Sequence, residues 1–346
     1  MDLAVQVKNK NRNMKIIIPM AGRGSRLRPH TLTIPKPLIP IAGKSIVQRL
    51  VEDIVKVCNR KVEEIAFVIG DFGEEAEKTL LKIAEGLGAK GNIYYQKEPL
   101  GTAHAILCAK ESLSGNCVIA FADTLFKADF ILDEKKDGII WVSQIEDPSS
   151  FGVVQLNENN IITDFVEKPK EFISDLAIIG IYYFKNGITL RKELQYLLDN
   201  NITDKGEYQL TDALENMKNK GLNFSAGKVN EWLDCGNKNA TVFTNERVLK
   251  HTGSMISESS VLKNTEIIDP CFIGENTVIN NSKIGPYVSI GNNTVITNSK
   301  IERSLIQNNT NLMNANITKS MIGNNVIFNG EESIKEISLG DFSEIK

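Results

Sequence analysis

Cysteine is scarce in this sequence and is not arranged in pairs. Five cysteines occur among 346 residues, with no C-x-x-C motif, at Cys58, Cys108, Cys117, Cys235 and Cys271. A disulfide framework or a structural zinc site needs paired or closely spaced cysteines, so this pattern predicts neither of them. Reduced thiols at such positions are typical of a cytoplasmic protein, and we expect a cytoplasmic location.

Long apolar runs and an excess of one charge are also missing. No run approaches the roughly 18 apolar residues that a membrane span requires, and residues 1–13, MDLAVQVKNKNRN, lack the apolar centre of a signal peptide. These residues are instead predicted to form a flexible N-terminal arm. The formal net charge is −3, so the sequence predicts no basic surface for nucleic acid or for an acidic membrane.

Strand-like and helix-like segments alternate from residue 14 onward. Short apolar runs at 15–20, 65–69, 92–96 and 117–122 predict strands, and segments with helical spacing between them predict helices at 46–58, 74–86 and 102–110. This order predicts an α/β domain with a parallel sheet that binds ligands at the carboxyl ends of its strands. The runs IIWVSQI, FGVVQLN and LAIIGIYYF predict antiparallel strands added to the same sheet, and a helix at 237–250 is predicted to close a domain spanning 14–252.

The sequence after His251 has a different repeat. An aliphatic residue recurs every five or six positions, at Ile267, Ile273, Ile279, Ile284, Ile290, Ile296, Ile301, Ile306, Leu312, Ile317, Ile322 and Ile327. Neither a helix nor a hairpin has this period, whereas a left-handed parallel β-helix points one aliphatic residue of each short strand into its core. We expect such a domain at 253–346, with three to four coils, a short C-terminal tail, and exposed ends that a homo-oligomer would cover.

The first strand ends in a glycine turn, Gly22-Arg23-Gly24, that two familiar motifs do not explain. The dinucleotide-binding fingerprint needs a third glycine where this chain has Leu27, and the phosphate loop that ends in Gly-Lys-Ser needs a glycine where it has Leu38. Backbone N–H groups of a glycine turn can still bind phosphate oxygens. Taken alone, a Gly-x-Gly turn after a strand is often only a turn.

Two basic residues follow this turn. Arg26 is spaced to reach the same phosphates with its guanidinium group, and Lys36 lies in a stiff Pro-Lys-Pro segment that loses little entropy when it presents its charge. Together with the turn, they predict a site for the triphosphate of a nucleotide.

The run GRGSRLRPHTLTIPKPLIPIAGK at 22–44 resembles the signature of the sugar-1-phosphate nucleotidyltransferases, which include glucose-1-phosphate thymidylyl- and uridylyltransferases and mannose-1-phosphate guanylyltransferases. Further matches to that family follow in order: LGTA at 100–103, AD at 122–123, FGVV at 151–154, VEKP at 166–169, GEYQLTD at 206–212 and WLDCG at 232–236. The resemblance covers residues 14 to about 250 and implies a Rossmann-like mixed-sheet domain. A β-helical tail is also typical of longer members.

The resemblance implies that a sugar-1-phosphate attacks the α-phosphorus of a nucleoside triphosphate and releases pyrophosphate, with Mg²⁺ as cofactor. By resemblance, Asp123 and Asp234 are the metal ligands, and the catalytic residues are Arg26, Lys36, Asp123, Lys168 and Asp234. The implied nucleotide-binding residues are Ala21, Gly22, Gly24, Ser25, Arg26, Lys36, Gln96, Gly101 and Thr102, and by resemblance Gln96 and Gly101 would read the edge of the base, a pyrimidine-like imide. The implied sugar-phosphate site comprises Gly152, Glu167, Lys168, Tyr182, Thr211 and Trp232.

Two departures from the family pattern leave the substrates open. Ala122 stands where a glycine usually precedes the metal-binding aspartate, and the loop QKEPLGTAHA resembles uridylyl-type enzymes and those acting on N-acetylglucosamine-1-phosphate. We expect glucose-1-phosphate with dTTP or UTP, and mannose-1-phosphate with GTP is the alternative. His104 is expected to be structural, and His30 to serve packing or the phosphate side.

Two other functions compete with this interpretation. A regulatory or scaffold protein without catalytic activity could have the same two domains, although it would tolerate the loss of basic and acidic site residues that are all present here. Hexapeptide β-helices often transfer acyl groups, but their usual histidine base has no counterpart, because no histidine follows His251. The tail is therefore expected to be structural.

Overall fold

The computed structural model describes residues 13–58, 60–129, 131–331 and 333–345. They form two compact units: one runs up to Gly22 and from Leu50 to Trp232, and the other comprises Arg23–Arg49 and the chain from Leu233 onward. The predicted N-terminal arm lies outside the described residues except for Asn13, and the predicted domain boundary at 252/253 stays a prediction. No helix among the described residues is long and apolar enough to span a bilayer.

Strands and helices alternate through residues 14–252. The strands are β1 (Met14–Pro19), β2 (Pro40–Ile41), β3 (Lys44–Ser45), β4 (Val62–Ile69), β5 (Lys90–Tyr95), β6 (Asn116–Ala120), β7 (Thr124–Lys127), β8 (Gly138–Gln144), β9 (Gly152–Leu156), β10 (Ile162–Glu167), β11 (Leu176–Phe184), β12 (Phe224–Lys228) and β13 (Glu231–Asp234). The helices are α1 (Ile46–Val57), α2 (Glu74–Gly86), α3 (Thr102–Cys108), α4 (Gly187–Asp199), α5 (Leu210–Asn219) and α6 (Lys238–Thr252).

The first unit is built on a nine-stranded mixed sheet. Its central path runs β10-β9-β11-β6-β1-β4-β5; off this path, β8 pairs with β11, and β12 pairs with β8. Strands β6, β1, β4 and β5 are parallel, whereas β11 is antiparallel to β6, β8 and β9. The predicted mixed α/β sheet, including its antiparallel additions, is therefore confirmed.

Apolar side chains explain why these segments fold onto the sheet. Ile17 of β1 and Ile119 of β6 are fully buried, and Ile106 of α3 and Leu194 of α4 cover them as parts of one core cluster. Helix α4 begins where the Asn186 side chain accepts hydrogen bonds from the amides of Ile188 and Thr189. The carboxyl ends of the parallel strands are thus held on a rigid frame.

The second unit contains a parallel β-helix. Its strands are β14 (Met255–Ile256), β15 (Val261–Lys263), β16 (Glu266–Ile267), β17 (Cys271–Ile273), β18 (Val278–Asn280), β19 (Lys283–Ile284), β20 (Val288–Ile290), β21 (Val295–Thr297), β22 (Lys300–Glu302), β23 (Leu305–Ile306), β24 (Asn311–Met313), β25 (Asn316–Thr318), β26 (Met321–Ile322), β27 (Ile327–Asn329), β28 (Ser338–Leu339) and β29 (Glu344–Ile345). They form two six-stranded sheets and one four-stranded sheet, every neighbouring pair being parallel. The predicted β-helix is confirmed, and it is longer than three to four coils because it begins at Met255 and continues to Ile345.

The hexapeptide repeat predicts the β-helix core with one error. Ten of the twelve repeated aliphatic residues, from Ile273 to Ile322, are buried, and Ile267 packs against them. Ile327 is 45% exposed, however, and Val326 and Phe328 on either side of it are buried instead. The inward position is shifted by one residue there, and because successive strand residues point to opposite faces, Ile327 faces solvent.

Asparagines form the polar corners between strands. Asn264, Asn281 and Asn298 occupy equivalent turns with positive φ angles of 47°, 47° and 50°, a backbone conformation that asparagine adopts more readily than most residues. The side-chain amide of Asn264 donates to Asn281 at 2.9 Å, and that of Asn281 donates to Asn298 at 3.3 Å. The asparagine content that could indicate a low-complexity linker therefore belongs to the coil geometry.

Replacing Ile296 by alanine should destabilise the second unit far more than replacing its neighbour Val295. Ile296 is fully buried, so truncation leaves a cavity and costs about 2–5 kcal/mol. Val295 is 37% exposed, and its truncation should stay within about 0.5 kcal/mol. Urea unfolding followed by circular dichroism measures both free energies of unfolding; equal losses would contradict the inward placement of Ile296.

Candidate active site

In the second unit, the glycine turn packs against the predicted phosphate-binding lysine. Gly24 has φ +63°, and a Cβ atom on it would lie 2.8 Å from Cβ of Lys36 and 3.3 Å from a methyl carbon of Thr31. The hydroxyl of Thr31 donates to the carbonyl of Gly24 at 2.9 Å. Ser25 follows as the first residue of a single 3₁₀ turn that ends at Leu27. Glycine is therefore required at position 24 for both its φ angle and its close approach to Lys36.

Arg26 and Asp234 converge on a second glycine of the same unit. A Cβ atom on Gly236 would lie 3.0 Å from Oδ1 of Asp234 and 3.3 Å from Nη2 of Arg26. The amide of Gly236 also donates to Oδ1 of Asp234 at 2.9 Å. The WLDCG motif thus brings a carboxylate beside the guanidinium that follows the glycine turn, and a side chain at position 236 would crowd both groups.

The segment that carries these basic residues is held by the end of the β-helix. Nε2 of His30 lies 3.0 Å from the hydroxyl of Ser338, and Thr33 donates to Asp341 at 2.6 Å. Burial lowers the pKa of His30 to about 4, with Asp341 opposing this shift and Lys238 adding to it. His30 is therefore neutral at pH 7 and serves as a packing residue between the loop and the last coil.

In the first unit, the predicted base-binding loop is clamped onto the segment before α5. Gly101 has φ +104°, and a Cβ atom on it would lie 2.7 Å from the backbone nitrogen of Tyr208 and closer still to its carbonyl oxygen. Tyr208 donates to the carbonyl of Leu100 at 2.8 Å and accepts from the amide of Ala103 at 2.9 Å. The hydroxyl of Thr102 accepts from the amide of Leu210 at 2.9 Å. The motifs LGTA and GEYQLTD therefore form one rigid corner.

Gln96 lies beside this corner, just after β5. Its amide nitrogen donates to the carbonyl of Gly101 at 3.2 Å and lies 3.1 Å from Nδ1 of His104. Its backbone amide donates to Ile69 at the end of β4. The two predicted base-reading residues, Gln96 and Gly101, are thus in direct contact.

Three of the predicted sugar-site residues also meet in the first unit. Gly152 on β9 pairs with Glu167 on β10, and a Cβ atom on Gly152 would lie 3.1 Å from Oε2 of Glu167 and 3.3 Å from a methyl carbon of Thr211. Thr211, on α5, donates its hydroxyl to the same carboxylate at 3.3 Å. One backbone and two side chains therefore surround a half-buried carboxylate.

Lys168 extends this group with a positive charge. Its ammonium lies 3.4 Å from Oε1 of Glu167, and about half of its side chain is exposed. The backbone of Lys168 has φ 41°, and its amide donates to Phe151 at 3.1 Å. A cation that is tethered and still half exposed can bind an incoming anion.

Tyr182, on β11, lies within electrostatic reach of both Glu167 and Asp123. Asp123 is half buried in the turn between β6 and β7. Burial raises the pKa of Tyr182, and the negative charges of Glu167 and Asp123 raise it further. Tyr182 itself is buried in the core between Phe121 and Phe184.

Trp232 packs edge-on against Phe151, with the ring centroids 5.1 Å apart. Its indole nitrogen is buried and has no hydrogen-bond partner among the described residues. A buried donor of this kind costs free energy unless something accepts its hydrogen. Trp232 therefore differs from an ordinary core aromatic residue, whereas Tyr182 resembles one; a role for either in sugar binding stays a prediction.

The predicted site residues thus form two groups, one in each unit. The second unit brings together Gly24, Ser25, Arg26, Lys36 and Asp234, and the first unit holds Ala21, Gly22, Gln96, Gly101, Thr102, Asp123, Gly152, Glu167, Lys168, Tyr182, Thr211 and Trp232. No atom of the described residues would approach a Cβ on Gly22 within 4 Å. The contact of His104 with Gln96 and the packing around Gly236 were not predicted from the sequence, although the glycine in WLDCG was a signal for the latter.

Two aspartates are the predicted ligands of a magnesium ion. No group of three or more His, Cys, Asp or Glu side chains suited to a metal occurs among the described residues. Mg²⁺ does not need such a cage, since proteins hold it by one or two carboxylates together with substrate phosphates. Asp123 and Asp234 offer carboxylates of this kind.

The chain is similar to several curated proteins. It is 32% identical over 252 residues to the bifunctional protein GlmU of Methanococcus vannielii, a match covering 70% of this chain and 57% of that protein. It is 35% identical over 190 residues to the catalytic subunit beta of a mannose-1-phosphate guanylyltransferase from Drosophila melanogaster, covering 52% and 51% of the two chains. The chain thus spans little more than half the length of these curated relatives.

Solved structures and a family model agree with this similarity. A UDP-glucose pyrophosphorylase crystallised with UDP-glucose superposes with a TM-score of 0.57 at 24% identity, covering 69% of this chain and 99% of that one, which shows a shared fold. The model named "Nucleotidyl transferase" matches residues 15–251, the stretch that carries the glycine turn, the clamped LGTA loop and the group around Glu167. On this match, the chain belongs to the nucleotidyl transferase family.

Proposed function

We propose that this chain transfers a nucleotidyl group from a nucleoside triphosphate to a sugar-1-phosphate, releasing pyrophosphate and forming a nucleoside diphosphate sugar. The observation that carries the proposal is in the second unit, where Lys36 packs on the Gly24 turn and Arg26 and Asp234 converge on Gly236. A glycine turn with two cations and a carboxylate suits a triphosphate with its metal ion.

The chemistry requires positioning and neutralisation of charge more than a protein nucleophile. Two anions must approach in line, and the repulsion between them must be offset. Arg26 and Lys36 would bind the triphosphate, and Lys168 would bind the phosphate of the sugar. Because the cations come from separate motifs of the chain, each anion is bound by its own side chains.

The carboxylates of Asp123 and Asp234 would hold Mg²⁺. When bound, the ion neutralises charge that develops on the phosphate oxygens during transfer. An ionised aspartate side chain carries oxygen lone pairs and no hydrogen to donate, and such oxygens are the ligands that a hard cation requires. Asp234 would also keep Arg26 in place through the contacts around Gly236.

The group around Glu167 would recognise the sugar. A carboxylate accepts hydrogen bonds from hydroxyl groups, and Thr211 already occupies one of its oxygens. A side chain at position 152 would crowd Glu167 and Thr211, so the glycine lets this carboxylate stay close to β9. We propose glucose-1-phosphate as the sugar substrate, with dTTP or UTP; mannose-1-phosphate with GTP is the alternative, which the similarity to a mannose-1-phosphate guanylyltransferase favours.

The proposal includes a homo-oligomer that acts in the cytoplasm. Met255, Ile256, Val261 and Leu262 are exposed large apolar residues on the first coil of the β-helix, whose strands are edge strands of their sheets. A second copy of the chain would bury such an end. Light scattering coupled to size-exclusion chromatography tests this, and a monomer at micromolar concentration would contradict it.

A pyrophosphate-release screen tests the proposed activity. The purified protein is incubated with each of ATP, CTP, GTP, UTP and dTTP against glucose-1-phosphate, mannose-1-phosphate, galactose-1-phosphate and N-acetylglucosamine-1-phosphate, with Mg²⁺ or with EDTA. We expect Mg²⁺-dependent release that needs both substrates, and a nucleoside diphosphate sugar by mass spectrometry. If no combination released pyrophosphate, the scaffold function would be favoured. If the rate of release were the same with EDTA as with Mg²⁺, the metal assignment would be contradicted.

A further inference from the structure

The side-chain amide of Gln96 uses both of its hydrogens within the protein. One points to the carbonyl oxygen of Gly101 at 3.2 Å, and the other points to Nδ1 of His104 at 3.1 Å. A primary amide has two hydrogens and one carbonyl oxygen. The carbonyl oxygen Oε1 of Gln96 has no hydrogen-bond donor among the residues described, so it is available to a ligand.

The orientation of this amide follows from its partners. An amide can be placed in two ways that differ by a half-turn, exchanging nitrogen and oxygen. A backbone carbonyl oxygen only accepts hydrogen bonds, so the amide nitrogen has to face Gly101, because two facing oxygens would repel each other. The nitrogen then also lies against Nδ1 of His104.

His104 can accept this second hydrogen only in one protonation state. Nδ1 must carry a lone pair, which requires a neutral ring with its hydrogen on Nε2. Nε2 lies 3.9 Å from the sulfur of Cys108 one turn further along α3. Burial lowers the pKa of His104, and the nearby Glu98 opposes the shift. The ring is therefore neutral at pH 7 and accepts.

We propose that His104 is a positioning residue that fixes the Gln96 amide so that the site selects the nucleobase by the hydrogen on its ring nitrogen. The inference rests on the proposed function. The free Oε1 of Gln96 accepts one hydrogen, and the backbone N–H of Gly101, which has no acceptor in the described part of the chain, donates another. Uracil, thymine and guanine carry an N–H next to a carbonyl oxygen and match this pair. Cytosine and adenine present an unprotonated ring nitrogen to Oε1 of Gln96, and two acceptors that face each other are a mismatch.

Two variants separate positioning from a merely structural role. His104→Ala removes the acceptor, so the Gln96 amide keeps one of its two restraints. His104→Asn offers a carbonyl oxygen close to the position of Nδ1 and should restore the restraint. Neither change touches the phosphate-binding, metal-binding or sugar-binding residues proposed above.

The readout is the selectivity between a matching and a mismatching base. We measure kcat/KM for transfer from the preferred triphosphate and from CTP, and the Kd of UTP and CTP by calorimetry. The ratio of kcat/KM for the matching base to kcat/KM for the mismatching base should fall about tenfold in His104→Ala, which is the effect of losing one hydrogen bond. The fall should come from a higher KM for the matching triphosphate, with little change in kcat. His104→Asn should stay within about threefold of the wild type.

Several outcomes would overturn the inference. An unchanged ratio in His104→Ala would do so, as would a parallel loss for both bases, since that would mean a structural role. A His104→Asn variant as unselective as His104→Ala would also overturn it. If the proposed function itself were wrong, the wild type would release no pyrophosphate. The Kd values of UTP and CTP from calorimetry would still decide the role of His104. Absence of nucleotide binding by the wild type would overturn both.

Discussion

Replacing Asp123 by asparagine should lower kcat about a hundredfold to a thousandfold, in the range found when one electrostatic stabiliser of a transition state is removed. Asparagine has nearly the same shape, so the fold should persist, but it lacks the charge that a Mg²⁺ ligand supplies. Steady-state release of pyrophosphate at saturating substrates and graded Mg²⁺ measures the effect. Unfolding by heat should give the same midpoint as the wild type.

Asp147→Asn is the matched control for this prediction. Asp147 is an exposed aspartate of the first unit whose side chain accepts from the amide of Ser149, and asparagine can accept in the same way. Its activity should equal that of the wild type. If Asp123→Asn kept near-normal turnover at every Mg²⁺ concentration, Asp123 would have no place in the metal site.

Replacing Gly101 by alanine should distort the base-binding corner and destabilise the first unit. The added methyl group would lie within 2.7 Å of the Tyr208 backbone, and the φ angle of +104° is unfavourable for any residue with a Cβ atom. Strain and overpacking together should cost about 2–5 kcal/mol. Thermal unfolding measures the stability, and KM for the triphosphate should rise because Gln96 loses its partner.

Gly86→Ala makes the same chemical change without either penalty. Gly86 is the last residue of α2, and a Cβ atom there meets no atom within 4 Å. Alanine is preferred over glycine in helices by about 1 kcal/mol, so the midpoint should stay level or rise. If Gly101→Ala lowered the midpoint no more than Gly86→Ala does, the corner would tolerate a side chain, and the close packing of Gly101 on Tyr208 would be contradicted.

Periodic features of the fold could be predicted from the sequence, and contacts between distant segments could not. The bounds of α2 were predicted correctly because Ala76, Leu80 and Ala84 recur with helical spacing and are buried. The β-helix was predicted from a repeat whose period neither an α-helix nor a β-hairpin has. The error at Ile327 arose because Val326 and Phe328 provide two other apolar residues beside it, and the spacing of five or six residues does not choose between them.

The candidate site shows the same division. Glycine turns, cations and carboxylates could be identified by residue type and by family motif. The pairing of Gln96 with His104 could not, because it depends on where the six-residue loop 96–101 places the imidazole ring of α3. Short polar contacts are set by geometry that develops only when α3 packs on the sheet, so the sequence suggested no more than a structural histidine.

The contacts between the last coil of the β-helix and the segment after the glycine turn affect the order in which the chain folds. His30 and Ser338 are 308 positions apart, and so are Thr33 and Asp341. Contacts between residues this far apart form late, because closing the loop between them costs chain entropy before the contact contributes any stability. The segment proposed to bind the triphosphate, although made early during synthesis, should therefore be completed among the last parts of the chain, and a chain with an incomplete β-helix would lack the contacts that hold this segment.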